Sequence, residues 1–509
     1  MNNLQPQEVF SIFQQITQVP RPSKHEEKIC QWLIGFARQH NIEYEFLPLA
    51  ENAATGNIIL RKPATRGYES HPGVILQAHM DMVCEKNSDI RHDFFADPIQ
   101  TYVDGDWVKA RGTTLGADNG IGMAMMLAAL TSTTMEHPAL ECLFTVDEET
   151  GLTGANNLPD GHLQGKRLIN LDSEDDGQIF IGCAGGIDTL AKLYYEPITL
   201  SQANFFAPSG VGQEDIHWFA AEVKVSGLLG GHSGDDINKG RANANKVLVR
   251  FLFEVEQQLQ RRQMGTMLLS RIDGGNLRNA IAREASALIC VPFAYKEQLR
   301  IDFNTFVAEI EAEILDVEKG VQLSLESAEL PKTVIPKGVS DKLLLSLYAC
   351  PHGVFAMSKD MPGLVETSTN LASVKTKKDG NGHFIEINTS QRSSVESQKH
   401  NLKNMVECAL ALSGAEVSHG DGYPGWKPDV NSGLLAVTRQ AYIGLTGKEP
   451  EVRAIHAGLE CGLFLEKYPY LDMVSIGPQM TGVHSPMEQL SISSTAKTWQ
   501  WLQRTLQAL

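Results

Sequence analysis

His79 and Asp81 stand two residues apart at the end of a short apolar run, Val74 to Gln77, that reads as a strand. Side chains two apart on a strand point the same way, so the carboxylate can hold the tautomer of the imidazole and leave its other nitrogen free for a metal ion. Four further places offer matching groups. Gly116-Ala117-Asp118-Asn119-Gly120 presents a carboxylate from a glycine-flanked turn, Asp147-Glu148-Glu149 closes a second apolar run, and Asp172 and His484 each come after another. Singly these have ordinary readings: a helix cap, a solvated acidic loop, a polar residue after a strand. As a set, His, Asp, Glu, Asp and His all follow strand-like segments of one candidate sheet. Two divalent cations carry +4, and Asp118, Glu149 and Asp172 with one bridging hydroxide carry −4, so a dinuclear centre of this composition is neutral. In the acidic triplet one carboxylate can then coordinate while its neighbour handles protons.

Positioning such groups requires short buried strands. Val74 to Gln77, Glu141 to Val146 and Leu168 to Leu171 are too short for typical helices and apolar enough for central strands, while Ile121 to Leu130, rich in Ala, Met and Leu, suits a buried crossover helix. Their alternation predicts an α/β layer with a largely parallel sheet, in which ligands gather beyond the carboxyl ends of the strands. Near the start, Ser23 and Glu26 have the spacing of a capping box, ahead of a helix whose apolar face is Ile29, Trp32, Leu33, Phe36 and Ala37. From about Gly186 to His400 the pattern changes to that of an inserted α+β domain. Strands are expected at Phe219 to Val225, Ala287 to Val291 and Phe384 to Asn388, a helix over Asn243 to Gln260, and glycine-rich turns at Gly227 to Gly234 and Gly274-Gly275. Asn401 to Ser413 reads as a helix and Met473 to Ile476 as a returning strand. The expected division is one domain built from 1–186 and 403–509, interrupted by 187–402.

Lys and Arg number 44 against 61 Asp and Glu, a formal charge of −17 that opposes binding to a phosphate backbone and argues against a nucleic-acid partner. A length of 509 residues exceeds what one core usually organises. The eight cysteines, Cys30, Cys84, Cys142, Cys183, Cys290, Cys350, Cys408 and Cys461, include no Cys-x-x-Cys pair and read as free thiols of a reducing, cytoplasmic compartment. Met1 to Pro6 lacks the basic and apolar regions of a signal peptide, and the longest apolar stretch, Ile121 to Leu130, is about half a membrane span, so no membrane partner is expected.

Val74 to Val83 (VILQAHMDMV), Arg111 to Gly120 (RGTTLGADNG), Asp147 to Gly151 (DEETG), Asp172, Gly230 to Gly234 (GGHSG) and Gly482 to Pro486 (GVHSP) resemble the di-zinc exopeptidases that include glutamate carboxypeptidase and carnosinase. Trp107 to Asn119, Gly182 to Asp188 (GCAGGID), Gly274 to Ala280 (GGNLRNA), Gly422 to Pro428 (GYPGWKP) and Ile455 to Phe464 (IHAGLECGLF) look like the aminoacyl-histidine dipeptidase branch of that family. The resemblance covers nearly the whole chain. It implies an α/β catalytic domain, with a mostly parallel mixed sheet flanked by helices, and an inserted α+β lid. It implies hydrolysis of unblocked dipeptides, Xaa-His dipeptides such as carnosine among them, by a metal-bound hydroxide, in a homodimer. Carried over position by position, Asp118 bridges two divalent ions, zinc first with cobalt or manganese as alternatives. His79 and Asp172 complete one ion, Glu149 and His484 the other. Glu148 matches the general base, Asp81 the carboxylate behind His79, and the Asp118–Asn119 peptide is expected to be cis. His232 matches a lid histidine that stabilises the developing oxyanion. Asn279, Arg392, Asn276, Asn370 and His456 match substrate-gripping positions, the planar fork of Arg392 suiting a C-terminal carboxylate. An aminoacylase-type amidohydrolase and a non-catalytic peptide-binding relative stay open as alternatives. The lid, about 215 residues long, leaves open whether it holds two similar modules that replace a partner subunit or carries an additional dimer surface.

Overall fold

Val74–His79 and Leu140–Thr145 are buried at every position and lie side by side as parallel strands. Burial on both faces is what continuous apolar runs produce when helices cover the two sides of a sheet. The computed structural model describes residues 3–203 and 217–509, so Met1 and Asn2 of the N-terminal segment lie outside the described residues. The chain divides into two units.

The first unit takes in the chain up to Cys183 together with Trp426–Ile455 and Leu459–Leu509. Its eight-stranded sheet runs Glu43–Pro48, Gly56–Lys62, Leu140–Thr145, Val74–His79, Arg167–Asn170, Asp472–Ser475, Gln178–Cys183, Glu451–Ile455. The central pairings are parallel and those of Gly56–Lys62 antiparallel, giving the mixed sheet with a parallel centre that the sequence leads one to expect. In register, His79 lies opposite Thr145 and Gln77 opposite Asn170, so the segments after three neighbouring strands emerge along one edge. The helix Ala117–Thr131 is buried from Ala117 to Leu130, as a run without a polar face must be. The last helix, Ile492–Ala508, is tied to the first, Gln7–Ile16, by Trp499 Nε1 donating to Glu8 Oε1 at 2.9 Å.

One local expectation fails. The helix Glu27–Gln39 buries Ile29, Leu33, Phe36 and Ala37 as read, but Ser23 and Glu26 do not form a capping box. Ser23 Oγ donates to Asp81 Oδ2 at 2.8 Å, and Glu26 Oε1 accepts the N–H groups of Lys24 (2.9 Å) and Asp147 (3.0 Å). A buried carboxylate and an otherwise orphaned buried N–H outweigh a helix end that other groups can satisfy.

The second unit comprises Ala184–Gly425 with His456–Gly458. It therefore extends past the expected boundary at 402. The helix Glu396–Ala411 sends Val406, Ala409 and Leu410 into this unit's core, and Glu416–His419 pairs antiparallel with Gly185–Tyr195. Its sheet runs Gln322–Ala328, Trp218–Ser226, Ala285–Pro292, Leu268–Gly274, Val365–Asp379, Gly382–Ser393, Gly185–Tyr195, Glu416–His419, with Gly353–Met357 added on Val365–Asp379. Leu268–Gly274 and Val365–Asp379 pair along a short register, Asp273↔Lys375 and Gly274↔Val374, extended by Thr376 Oγ1, which accepts from Ile272 N (2.9 Å) and donates to Ile272 O (2.8 Å), a narrow seam between two antiparallel halves. The helix Ala244–Arg261 starts where its cap dictates: the Asn243 side chain accepts the N–H groups of Asn245 (2.9 Å) and Lys246 (3.3 Å). Among the described residues no helix is long and apolar enough to cross a membrane.

Candidate metal centre

Three parallel strands deliver the first groups. His79 ends Val74–His79, Asp172 follows Arg167–Asn170 by two residues, and the chain leaving Leu140–Thr145 turns sharply at Asp147, whose φ is +50°. A left-handed Asp is uncommon, and here its carboxylate takes the hydroxyls of Thr150 and Thr153, which holds the turn. The turn brings the N–H groups of Glu148 and Glu149 to Asp81 Oδ1 (3.0 Å) and Oδ2 (3.2 Å). Asp81 Oδ1 also lies 3.3 Å from His79 Nδ1. One buried carboxylate thus lies against the imidazole and pins the backbone of both glutamates.

Asp118 comes from the turn ahead of the buried helix. Asp118 and Asn119 have non-helical backbone angles, and the peptide between them is cis, as the resemblance implied. Asn119 Nδ2 donates to Asp172 Oδ1 at 2.6 Å and so fixes a second carboxylate. Asp118 Oδ1 lies 2.9 Å from His79 Nε2, and its Oδ2 lies 3.0 Å from His484 Nε2. Asp172 Oδ1 is 3.3 Å from the same nitrogen of His79, and Glu149 Oε2 is 3.0 Å from the same nitrogen of His484. In each of the groups His79–Asp118–Asp172 and Asp118–Glu149–His484 the ligand atoms lie within 4.8 Å of one another, and Asp118 belongs to both. Glu149 Oε1 is buried with no hydrogen-bond partner among the described residues. Two sets of three N and O donors sharing a carboxylate, with one oxygen left over, fit a pair of divalent ions of the zinc type.

The electrostatics fit the same assignment. His484 is pushed up to about 11 by its hydrogen bonds to Asp118 and Glu149. Burial would lower His79, but the charge of Asp172 and hydrogen bonds to Asp118, Asp172 and Asp81 outweigh it and leave the ring well above the ordinary histidine range. Without cations, protons therefore occupy the nitrogens that coordination needs. Zinc uptake near neutral pH is expected to release about two protons, and the apparent affinity to fall as pH drops. Calorimetry in buffers of different ionisation enthalpy counts them; heats independent of buffer would contradict the assignment. Glu148 is raised well above the carboxylate range by burial, helped by Asp172, Glu460 and Glu149 and opposed by His79, which suits a group that must move protons.

Beneath the strand ends lies a buried polar row that the sequence reading did not identify. Glu460 Oε2 accepts from Gln77 Nε2 (2.6 Å) and Thr145 Oγ1 (2.9 Å), Gln77 Oε1 from Asn170 Nδ2 (2.6 Å), and Asn170 Oδ1 from Ser475 Oγ (2.5 Å). Burial, opposed by His79 and reinforced by Asp172, raises Glu460 to about 8. The signal was a polar residue inside an apolar run, two places before His79 in one strand and two before Asp172 in another.

The second unit gathers a group of its own. Gly231–His232 pairs with Ala280–Ile281, and the Ser233 N–H donates to Asn279 O at 2.8 Å. His232 Nδ1 accepts the N–H groups of Gly234 and Asp235, both at 3.2 Å, so its ring hydrogen sits on Nε2. Burial and the charge of Arg392 hold His232 below the ordinary histidine range. Arg392, 8% exposed, donates to the Tyr423 hydroxyl at 3.1 Å, and its Nε is buried without a hydrogen-bond partner among the described residues. A guanidinium so placed is receptive to an anion. His456 lies 2.7 Å from Ser368 Oγ, and burial together with Arg392 pushes it down to about 3, so it is neutral. Asn370 Nδ2 braces the neighbouring loop through Arg278 O (3.2 Å) and Ala280 O (2.8 Å). Asn276 stands apart. Its Oδ1 accepts from Lys375 Nζ at 3.1 Å, and it lines a surface cavity of about 680 Å³ whose wall includes none of His232, Arg392 and His456.

Residues 75–508 match the sequence profile of Peptidase family M20/M25/M40. The cytosol non-specific dipeptidase of Escherichia coli (strain K12) is 42% identical over 509 residues, which is 100% of this chain and 99% of that protein. The structure of the aminoacylhistidine dipeptidase from Vibrio alginolyticus matches with a TM-score of 0.89 at 38% identity, over 100% of this chain and 98% of that one. The aminopeptidase PepT of Bacillus cereus ATCC 10987 shares the fold, with a TM-score of 0.58 at 15% identity over 99% of both chains.

Proposed function

The chain belongs to peptidase family M20/M25/M40, and on that premise we propose that it is a metal-dependent dipeptidase cleaving unblocked dipeptides, Xaa-His dipeptides such as carnosine among them. The observation that carries this is the sharing of Asp118 between two ligand groups, with Glu148 beside them. When bound, two divalent cations, zinc for this N and O donor set, polarise the scissile carbonyl and acidify a water. His79 and Asp172 would hold one, Glu149 and His484 the other, and Asp118 would contribute to both sets. Glu148 takes a proton from the attacking water and returns it to the leaving amine. Asp81 keeps His79 in the tautomer whose Nε2 faces the carboxylates.

Within the second unit, His232 carries its ring hydrogen on Nε2, as suits donation to an oxyanion, and Arg392 a fork that suits a substrate carboxylate, with Asn279 and His456 as neighbouring candidates for contact and Asn370 as the brace of their loop. The unit is assigned the part of a lid. A cytoplasmic location is supported by eight free cysteines and by the name of the Escherichia coli relative. A homodimer is supported by Gly353–Met357, which among the described residues is paired on one side only and exposes Val354, Phe355 and Met357.

The aminoacylase alternative and the dipeptidase reading part on the blocked amine. Expected is a kcat/KM for a free Xaa-His dipeptide at least about tenfold above that for its N-acetyl form. Faster cleavage of the acetylated compound would move the protein among the aminoacylases. A non-catalytic relative is disfavoured because Glu148 and all five assigned ligands are present and converge.

A further inference from the structure

Glu488 receives four main-chain N–H groups. Its Oε2 accepts from Leu115 (2.7 Å) and Gly116 (3.0 Å), and its Oε1 from Ala117 (2.8 Å) and, at the longest, Asp118 (3.4 Å). It is 2% exposed and stands four residues after His484. The same turn is gripped by Arg21, also 2% exposed, which donates Nη1 to Met80 O (2.8 Å) and Asp81 O (2.6 Å) and Nη2 to Gly116 O. Between them these two side chains tie together, through main-chain atoms, the segments that carry His79, Asp118 and His484.

The glycines flanking Asp118 belong to this arrangement. A Cβ at Gly116 would lie 2.6 Å from Arg21 Nη2, and one at Gly120 would lie 2.8 Å from it. Gly116 also has φ of +68°, which favours glycine. As the residue before the helix it has no side chain with which to cap the orphaned N–H groups of the first turn, and Glu488 supplies the cap from a distant segment.

We propose that Glu488 is a positioning residue that sets the Asp118 carboxylate between its two ligand groups, and that the cation held by Asp118, Glu149 and His484 depends on it more than the one held by His79, Asp118 and Asp172. This rests on the dinuclear reading above. The asymmetry follows from the connections: Glu488 links the Asp118 turn to the His484 segment, whereas Arg21 links that turn to the end of the His79 strand without it.

Glu488→Gln keeps the shape but offers one acceptor oxygen and turns an NH₂ toward two N–H donors. In zinc titrations against a chromophoric chelator, the wild-type chain is expected to take up two ions. Glu488→Gln is expected to keep the first and to bind the second about 10–100-fold more weakly. Two ions held with wild-type affinities, or equal weakening of both, would overturn the proposal. A wild-type chain that takes up no zinc would overturn the dinuclear reading instead. Amide exchange in the chelator-treated wild-type protein decides the role of the turn whether or not the variant folds. Leu115, Gly116 and Ala117 are expected to stay protected without metal, and rapid exchange there would mean that the cations, not Glu488, hold the turn.

Discussion

Replacing Glu148 with Gln is expected to lower kcat on a dipeptide by about 10²–10⁴-fold with both cations still bound. The substitution preserves volume and the main-chain N–H that donates to Asp81, so the turn at Asp147 is not disturbed. What it removes is the capacity to accept a proton and give it back. Binding should be little affected, because the proton transfer is made in the transition state and not in the ground state, so kcat and kcat/KM should fall together. Metal content, measured on the same sample, discriminates the roles. Glu148 also lies in a group with His79 and Glu149 whose ligand atoms are within 4.8 Å of one another, so a carboxylate ligand at this position is a real alternative. Loss of one ion in Glu148→Gln would make it a ligand, and unchanged turnover would remove it from the mechanism.

The parts of this architecture that depend on neighbours in sequence were legible, and those that depend on distant main chain were not. Buried parallel strands have to be short apolar runs, so Val74–His79, Leu140–Thr145, Arg167–Asn170 and Asp472–Ser475 could be read, with the polar residues that follow them. Ser23 and Glu26 had the right spacing for a capping box but were claimed by Asp81 and Asp147, far along the chain, and no local rule weighs such claims. The second boundary was missed because Glu416–His419 is a four-residue strand with alternating polar residues that looks like a loop until its partner Gly185–Tyr195 is known. Arg21 and Glu488 gave no signal at all: each is a lone charge in a loop, and its partners are carbonyl and N–H groups that every residue possesses. Asn276 shows the converse, since the Gly-Gly-Asn string attracted a substrate role while Lys375, on a strand paired beside it, engages its side chain.

Asp118→Ala is expected to empty both cation positions and to reduce dipeptide hydrolysis by about 10³-fold or more, since the several kcal/mol of Lewis-acid stabilisation go with the ions and each 1.4 kcal/mol is a factor of ten. The two carboxylate oxygens face different histidines, so one truncation removes a ligand from each group. Asp172→Ala is the contrasting case. It leaves Asp118, Glu149 and His484 in place and should retain one ion. The metal-free proteins provide a second, activity-independent check. Asp118 provides the leading hydrogen bond that pushes His484 up to about 11, so in Asp118→Ala the ring should titrate at lower pH, with Glu149 still holding it up. His79 loses the same carboxylate and keeps only part of what raises it, the contributions of Asp172 and Asp81, so its pKa should fall as well. Both shifts are readable by NMR titration of the ring protons. The bridge assignment would be lost if Asp118→Ala kept one tightly held ion while Asp172→Ala kept none, because the cations would then be bound through separate ligand sets and not through a shared carboxylate.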